Sequence, residues 1–115
     1  MDDHDPDRMR ARYAPALQDE LAQIAAASDS TRADRAPVTL DQQSVGRLSR
    51  MDALQNQAMA AGTEARRATR TRAIQAALTR LDEGEFGWCD ECGEPIPLKR
   101  LDLDPCATRC VGCAG

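Results

Sequence analysis

The chain has 115 residues, enough for one compact domain or for an elongated element joined to a small module. Its formal net charge of −4 argues against a protein that coats nucleic acid non-specifically. No apolar stretch approaches the length of about 18 residues that a membrane-spanning helix needs. The acidic start of the chain lacks the apolar core of a secretory signal. We therefore expect a cytoplasmic protein, in which cysteine thiols stay reduced and favour a metal over disulfides.

The first part of the chain predicts an amphipathic helix over about residues 7–27, preceded by a flexible segment over residues 1–6. Its apolar side chains recur at steps of three or four residues, which places them on one face of a helix. They are Met9, Tyr13, Leu17, Leu21 and Ile24. Pro15 interrupts this pattern because proline lacks a backbone N–H, so the helix either bends there or begins with Pro15 as its first residue.

A second, longer helix is predicted over about residues 40–81, after a connection at about 28–39. Thr39 and Gln42 have the spacing of a capping box, and Gly84 can end the helix in a left-handed conformation. Two sets of apolar residues continue one face along its length. The first set is Val45, Leu48, Met51, Leu54, Ala58 and Met59, and the second is Ala65, Ala68, Ile74, Ala77, Leu78 and Leu81.

The helix lengths predict the architecture. A short connection makes the two helices antiparallel, so residues 7–82 should form a helical hairpin, or coiled coil. The first helix is about half as long as the second, about 31 Å against about 63 Å, and can cover only part of it. The uncovered part carries Ile74, Leu78 and Leu81, which we expect to pack on a small C-terminal module at 83–115. The predicted fold class is mainly α, with the hairpin projecting from that module.

Four of the five cysteines form two Cys-x2-Cys pairs, separated by seventeen residues. The pairs are Cys89 with Cys92 and Cys110 with Cys113. Two thiolates in one tight turn can both reach a single ion at about 2.3 Å, and a second such turn completes a tetrahedron. Gly93 permits the tight turn after the first pair. The sequence therefore predicts one structural Zn²⁺ ion, whose binding decides whether a module with so few apolar residues folds.

Other chemistry is less well supported by the residues. Redox pairs of this type usually accompany a βαβ pattern, which the sequence lacks, and an iron–sulfur centre remains an alternative. A catalytic zinc needs an open position and usually a histidine or carboxylate ligand, whereas the one histidine is His4, in the segment expected to be disordered. We therefore expect no enzyme. The fifth cysteine, Cys106, is either a loop thiol or a redox or alternative-ligand thiol.

The C-terminal sequence resembles the DksA/TraR family of bacterial zinc-finger transcription regulators. The resemblance lies in Gly87-Trp88-Cys89-Asp90-Glu91-Cys92-Gly93-Glu94-Pro95-Ile96, then Arg100-Leu101, Asp104-Pro105 and the second cysteine pair. It is specific over residues 83–113 and extends to the hairpin only by architecture, as in a short family member. The resemblance implies that the chain binds RNA polymerase directly rather than DNA. It further implies that the hairpin enters the secondary channel of that enzyme, with its tip towards the active centre, and that the nucleotide ppGpp acts with the larger members.

The resemblance also indicates candidate partner-binding residues near the hairpin tip. They are Asp41, Ser44, Arg47 and Arg50. The larger family members have an Asp-x-x-Asp-x-Ala motif at the tip, where this chain keeps Asp41 but has Ser44 and Gly46 in place of the second acid and the alanine. Two alternatives stay open: a zinc-scaffolded protein that mediates interactions or senses oxidation, and a DNA-binding zinc module. The second fits poorly, because Lys99, Arg100 and Arg109 are the only bases of the module.

Overall fold

A computed structural model describes residues 4–36 and 47–114, except for the side chains of residues 47–49. The described chain is mainly helical. Its elements are α1 (Pro6–Ser30), a short 3-10 helix (Arg32–Arg35), α2 (Arg47–Glu83), α3 (Leu98–Leu103) and α4 (Val111–Ala114). Within these ranges β structure is limited to one isolated antiparallel bridge, between Trp88 and Pro95. None of the described helices combines the length and apolar character that crossing a membrane requires.

Helix α1 begins earlier than the apolar pattern predicts and runs through Pro15. Asp5 caps its N-terminus, where the backbone N–H of Arg8 donates to Asp5 Oδ2 at 3.3 Å. Pro6 is the first helical residue, a position at which a missing N–H costs nothing. The helix therefore does not begin at Pro15. The sequence does mark this start of α1, because the acidic capping residue Asp5 is followed directly by Pro6.

Polar contacts between α1 and α2 show that the two helices run antiparallel. Near the start of α1, the guanidinium of Arg10 donates to the carbonyl oxygen of Leu81 at 3.2 Å. Near its end, the hydroxyl of Ser28 donates to Glu64 Oε2 at 3.0 Å. As α1 advances, its contacts on α2 therefore move back towards the N-terminus of α2, as the prediction of an antiparallel pair requires.

The chain divides into two units. The first comprises Met1–Ala22 with Thr71–Gly115, and the second comprises Gln23–Arg70. The first unit contains all the buried apolar side chains of the described chain. They are Met9, Tyr13, Leu17, Ile74, Ala77, Leu81, Phe86, Cys89, Ile96 and Leu101. Because this set draws on α1, on α2 and on the cysteine-bearing segment, the C-terminal module shares its core with both helices.

This core confirms one half of the predicted apolar face of α2 and adds α1 to the expected contacts of the module. Ile74 and Leu81 are buried, as predicted. Helix α1 contacts the C-terminal module as well. The ring of Tyr13 packs on that of Phe86 with centroids 5.2 Å apart, and its hydroxyl donates to the carbonyl oxygen of Leu98 at 3.4 Å. The reason is that α1 starts beside the end of α2 and covers it, which helix lengths alone could not show.

In the second unit, polar residues make the contacts between the helices. Glu64 accepts from Ser28 and forms ion pairs with Arg35 at 3.2 Å and with Arg67 at 3.4 Å. The guanidinium of Arg67 also donates to Thr31 Oγ1 at 3.0 Å. These hydrogen bonds satisfy partly buried charges, so this part of the pair is held by a polar network in place of an apolar core.

For the other half of α2 the predicted apolar face is wrong, because its residues are exposed. Met51, Leu54 and Met59 are 57%, 49% and 64% exposed. Ala58, Ala65 and Ala68 are exposed as well. The polar network faces α1 instead and turns these residues outwards. Val45 and the capping box of Thr39 and Gln42 lie outside the described residues, and so does the Leu48 side chain.

A three-residue network joins α1 to α3. Arg12 makes two hydrogen bonds to the carboxylate of Asp102, at 3.0 Å and 2.6 Å, and the hydroxyl of Tyr13 donates to the same carboxylate at 2.8 Å. Burial, and then Asp102, raises the pKa of Tyr13 to about 12. The Arg12 guanidinium, and then the Tyr13 hydroxyl, holds the pKa of Asp102 below its usual range.

We expect Asp102→Asn to lower the midpoint of Tyr13 ionisation part of the way from about 12 towards the ordinary value of about 10, because burial remains. Since the folded pKa is the higher one, the neutral phenol stabilises the fold below about pH 10, and this stabilisation is lost as the pH rises towards about 12. Tyr13 is the only tyrosine, so tyrosinate absorbance reports it directly. Asp34→Asn, in the second unit, is the control, and an unchanged midpoint in Asp102→Asn would contradict the network.

Candidate metal centre

The first cysteine pair lies in a tight turn between α2 and α3. Helix α2 ends at Glu83, and Gly84 follows with φ 74°, as its predicted role at the helix end requires. The backbone N–H of Cys89 donates to the carbonyl oxygen of Glu94 at 2.8 Å, and the N–H of Gly93 donates to that of Cys89 at 3.0 Å. Gly93 has φ 74°, a conformation that a side chain would strain. These bonds bring Cys89 and Cys92 to the same side of the turn.

The second pair lies at the start of α4. The backbone N–H groups of Cys113 and Ala114 donate to the carbonyl oxygen of Cys110 at 3.1 Å and 2.9 Å, which closes a second turn. The N–H of Asp90 donates to the carbonyl oxygen of Thr108 at 2.8 Å and ties the two turns together. The seventeen residues between the pairs thus return the chain to its starting point.

The four predicted ligands meet at one point. The sulfur atoms of Cys89, Cys92, Cys110 and Cys113 all lie within 4.8 Å of one another, and those of Cys92 and Cys110 are 3.7 Å apart. Four sulfur atoms at about 2.3 Å from one tetrahedral zinc ion lie about 3.8 Å from each other. The observed spacing therefore fits a four-thiolate zinc site.

The electrostatics of the cluster also fit a bound cation. Backbone N–H groups, that of Cys110 first and that of Cys92 next, lower the pKa of the Cys89 thiol to about 6 by stabilising its thiolate. The neighbouring thiol of Cys110, and then those of Cys89 and Cys92, raise the pKa of Cys113 to about 12. Protein groups therefore stabilise the Cys89 thiolate but not a Cys113 thiolate beside it. A divalent cation supplies the missing positive charge.

Two arginines that the sequence singled out as nearby bases hold the turns in place. Arg109 forms an ion pair with Glu91, between the first two cysteines, at 3.2 Å. Arg100, on α3, donates from Nε to the carbonyl oxygen of Arg109 at 2.8 Å. Arg109 thus contacts a carboxylate and Arg100 a backbone carbonyl, so these two bases hold the backbone around the cysteines.

The sequence prediction missed the part played by His4. We expected a disordered tail over residues 1–6, but His4 Nε2 donates to the carbonyl oxygen of Ile96 at 2.7 Å. Its ring also lies 5.5 Å from that of Trp88, between centroids. No periodic pattern marks this residue, because both contacts are made across the fold. Residues 1–3 lie outside the described part of the chain.

The remaining predicted site residues lie away from the cluster or outside the description. Cys106 is half-buried, and its backbone N–H donates to Asp104 Oδ1 at 3.0 Å. It is not among the four clustered cysteines, and its redox role stays a prediction. Arg50 is exposed on α2. Asp41 and Ser44 lie outside the described residues, and so does the Arg47 side chain.

Comparison with known proteins identifies the cysteine module. Residues 84–115 match the family described as the prokaryotic dksA/traR C4-type zinc finger. The RNA polymerase-binding transcription factor DksA of Haemophilus influenzae is 48% identical over 40 residues, which are 35% of this chain and 28% of that protein. The DksA of Caulobacter vibrioides is 50% identical over 38 residues, 33% of this chain and 27% of its own length. The match thus spans little more than a quarter of the curated relatives.

A solved structure extends the similarity beyond the module. Transcription factor DksA2 from Pseudomonas aeruginosa superposes with a TM-score of 0.70 and 28% sequence identity, covering 95% of this chain and 79% of its own. The likeness therefore includes the helices as well as the cysteine turns.

The fold and the site together define a mainly helical protein with an antiparallel helix pair and a C-terminal four-cysteine finger that holds one structural zinc ion. Residues 84–115 thus match the dksA/traR C4-type zinc finger, and the fold over most of the chain is similar to that of DksA2.

Proposed function

We propose that this protein is a transcription regulator that acts by binding RNA polymerase. The proposal rests on two similarities taken together, one in the sequence of the zinc finger and one in the fold of the whole chain. The zinc finger is nearly half identical to that of a protein named as an RNA polymerase-binding transcription factor. The fold over 95% of the chain is like that of a transcription factor, DksA2.

In the finer form of the proposal, the helix pair enters the secondary channel of the polymerase, and the tip residues act near the active centre. Helix α2, 37 residues long, spans about 55 Å, enough to reach into a deep channel. Asp41, Ser44, Arg47 and Arg50 are the proposed tip contacts. ppGpp is proposed to bind at the polymerase interface, and direct binding to DNA is not expected.

The test is a pull-down of purified core RNA polymerase by the zinc-loaded full chain at micromolar concentration. We expect retention of the polymerase that a known secondary-channel factor abolishes by competition. Asp41→Asn should keep this binding but change transcription from a sensitive promoter in vitro, since it alters the proposed tip without touching the finger. Adding ppGpp to the same assay tests its part in the proposal.

Asp82→Asn is the matched control, because Asp82 is an exposed acid near the C-terminal end of α2, at the opposite end of that helix from the proposed tip contacts. It should leave both binding and transcription unchanged. If the wild-type chain does not retain polymerase, the proposal is wrong. If polymerase is retained but a secondary-channel factor does not compete, polymerase binding is supported and binding at the secondary channel is contradicted.

A further inference from the structure

The second unit lacks an apolar core. Over residues 23–36 and 50–70, no described side chain is buried, whereas the first unit holds every buried apolar side chain of the described chain. The part of α1 in the second unit, residues 23–30, carries one large apolar residue, Ile24, among alanines and polar residues. Burial of apolar surface is the main favourable contribution to folding, and alanine supplies little of it. Other interactions must therefore hold this unit together.

The polar network of the second unit has one carboxylate at its centre. Glu64, on α2, accepts a hydrogen bond from Ser28 at 3.0 Å. It also forms ion pairs with Arg35 at 3.2 Å and with Arg67 at 3.4 Å. The same two guanidiniums donate to Thr31 Oγ1, each at 3.0 Å. A single side chain thus links the end of α1, the 3-10 helix and α2.

Water reaches this network in part. The side chains of Glu64, Arg35 and Arg67 are 30%, 22% and 24% exposed. Salt screens charges that are in contact with water, and the Debye length falls from about 10 Å at 0.1 M salt to about 3 Å at 1 M. Ion pairs of this kind contribute less than an apolar core does, and their contribution decreases as salt is added.

The first unit is stabilised in a different way. Its side chains of Met9, Leu17 and Ile74 are at most 1% exposed. Segments of a protein open locally with free energies that range from near zero to the free energy of global unfolding, and segments with few buried apolar contacts open most easily. The two units therefore differ in the property that controls local opening.

We propose that the second unit opens and closes on its own while the first unit stays folded, and that Glu64 is the latch that holds it closed. Opening separates the end of α1 from α2. Residues 23–30 are fewer than the about 12–15 that an isolated helix needs, so they lose backbone hydrogen bonds when they are released. The open population increases with ionic strength, which makes this unit a salt-sensitive device. The inference does not depend on polymerase binding, so either can fail alone.

Hydrogen exchange of the zinc-loaded full chain, followed by mass spectrometry of peptic fragments, tests the proposal. We expect the amides of residues 24–30 to exchange at least about 100-fold faster than those of residues 9–17 and 74–81. Low concentrations of urea should hardly change the fast rates, because local opening exposes little surface, but should accelerate the slow ones steeply. Raising sodium chloride from about 0.05 M to about 1 M should accelerate exchange of residues 24–30 about three-fold, relative to an unstructured reference peptide.

A charge-removing substitution tests the latch itself. Glu64→Gln should accelerate exchange of residues 24–30 about five-fold, because it removes both ion pairs. Asp52→Asn is the matched control, since it removes one negative charge from an exposed position on the same helix, outside the polar network. It should change the rate less than about two-fold. Both variants should keep one zinc ion and the exchange rates of the first unit, which shows that the fold is retained.

A double-mutant cycle tests whether the ion pair with Arg35 is part of the latch. Arg35→Gln alone should accelerate exchange of residues 24–30 about three-fold. Added to Glu64→Gln, the same substitution should accelerate it further by less than about two-fold, because the ion pair is already absent.

Three results would contradict the latch. The first is equal protection and equal urea dependence in both units, which would mean that the chain opens as one cooperative unit. The second is an equal effect of Asp52→Asn and Glu64→Gln. The third is a double variant in which the two single effects multiply in full.

Discussion

Removing the zinc ion should unfold the C-terminal module and loosen the start of α1. Structural zinc in small fingers contributes about 10–16 kcal/mol at neutral pH, more than the few buried apolar residues of the module can replace. The loss should extend to α1 because the Tyr13 ring packs on Phe86, 5.2 Å away between centroids. Near-UV circular dichroism of Trp88, the only tryptophan, during titration with a chelator measures the effect. We expect the signal to collapse as zinc is lost and to return when zinc is restored.

Two cysteine variants separate metal binding from thiol chemistry in general. Cys92→Ser removes one of the four clustered sulfur atoms and should abolish stoichiometric zinc in the purified chain. Cys106→Ser removes the cysteine outside the cluster and should keep one zinc ion per chain. Equal zinc loss in both variants would contradict the assignment, and so would a chelated protein that keeps the Trp88 signal.

Leu17→Ala should destabilise the first unit by about 2–5 kcal/mol, the range for removing a fully buried leucine. The Leu17 side chain is 0% exposed, and it belongs to the core that α1 shares with α2 and the module. The truncation leaves a cavity that close-packed neighbours fill only partly. Urea unfolding followed by Trp88 fluorescence gives the change in free energy of unfolding.

Leu103→Ala is the same substitution at a position 87% exposed on α3. It should change the free energy of unfolding by no more than about 0.5 kcal/mol. Similar losses in the two variants would show that the observed burial does not describe the stable core.

The zinc site was predictable from sequence because its chemistry depends on short spacings. Two Cys-x2-Cys turns need only local backbone geometry to bring thiolates together, and a glycine at position 93 marks the first turn. The burial of Met9, Tyr13 and Leu17 followed from the periodicity of α1 for the same reason. These features are properties of a few neighbouring residues, so the order of residues is enough to infer them.

Short spacings did not predict which part of the fold each helix face packs against. Periodicity joined Met51 and Leu54 to Ile74 and Leu81 as one buried stripe, but only the second pair is buried. Over the first half of α2 the side towards α1 is chosen by Glu64, which accepts a hydrogen bond from Ser28 and pairs with Arg35, both of them distant in the chain.

The sequence by itself thus determined the helical class, the buried face of α1 and the metal-binding cysteines, because each depends on local spacing. Only the tertiary structure decided that α1 packs on the zinc module, that His4 reaches Ile96, and which side of α2 stays open. These outcomes depend on which distant residues satisfy each other's charges and hydrogen bonds, and that choice is made by the folded chain as a whole.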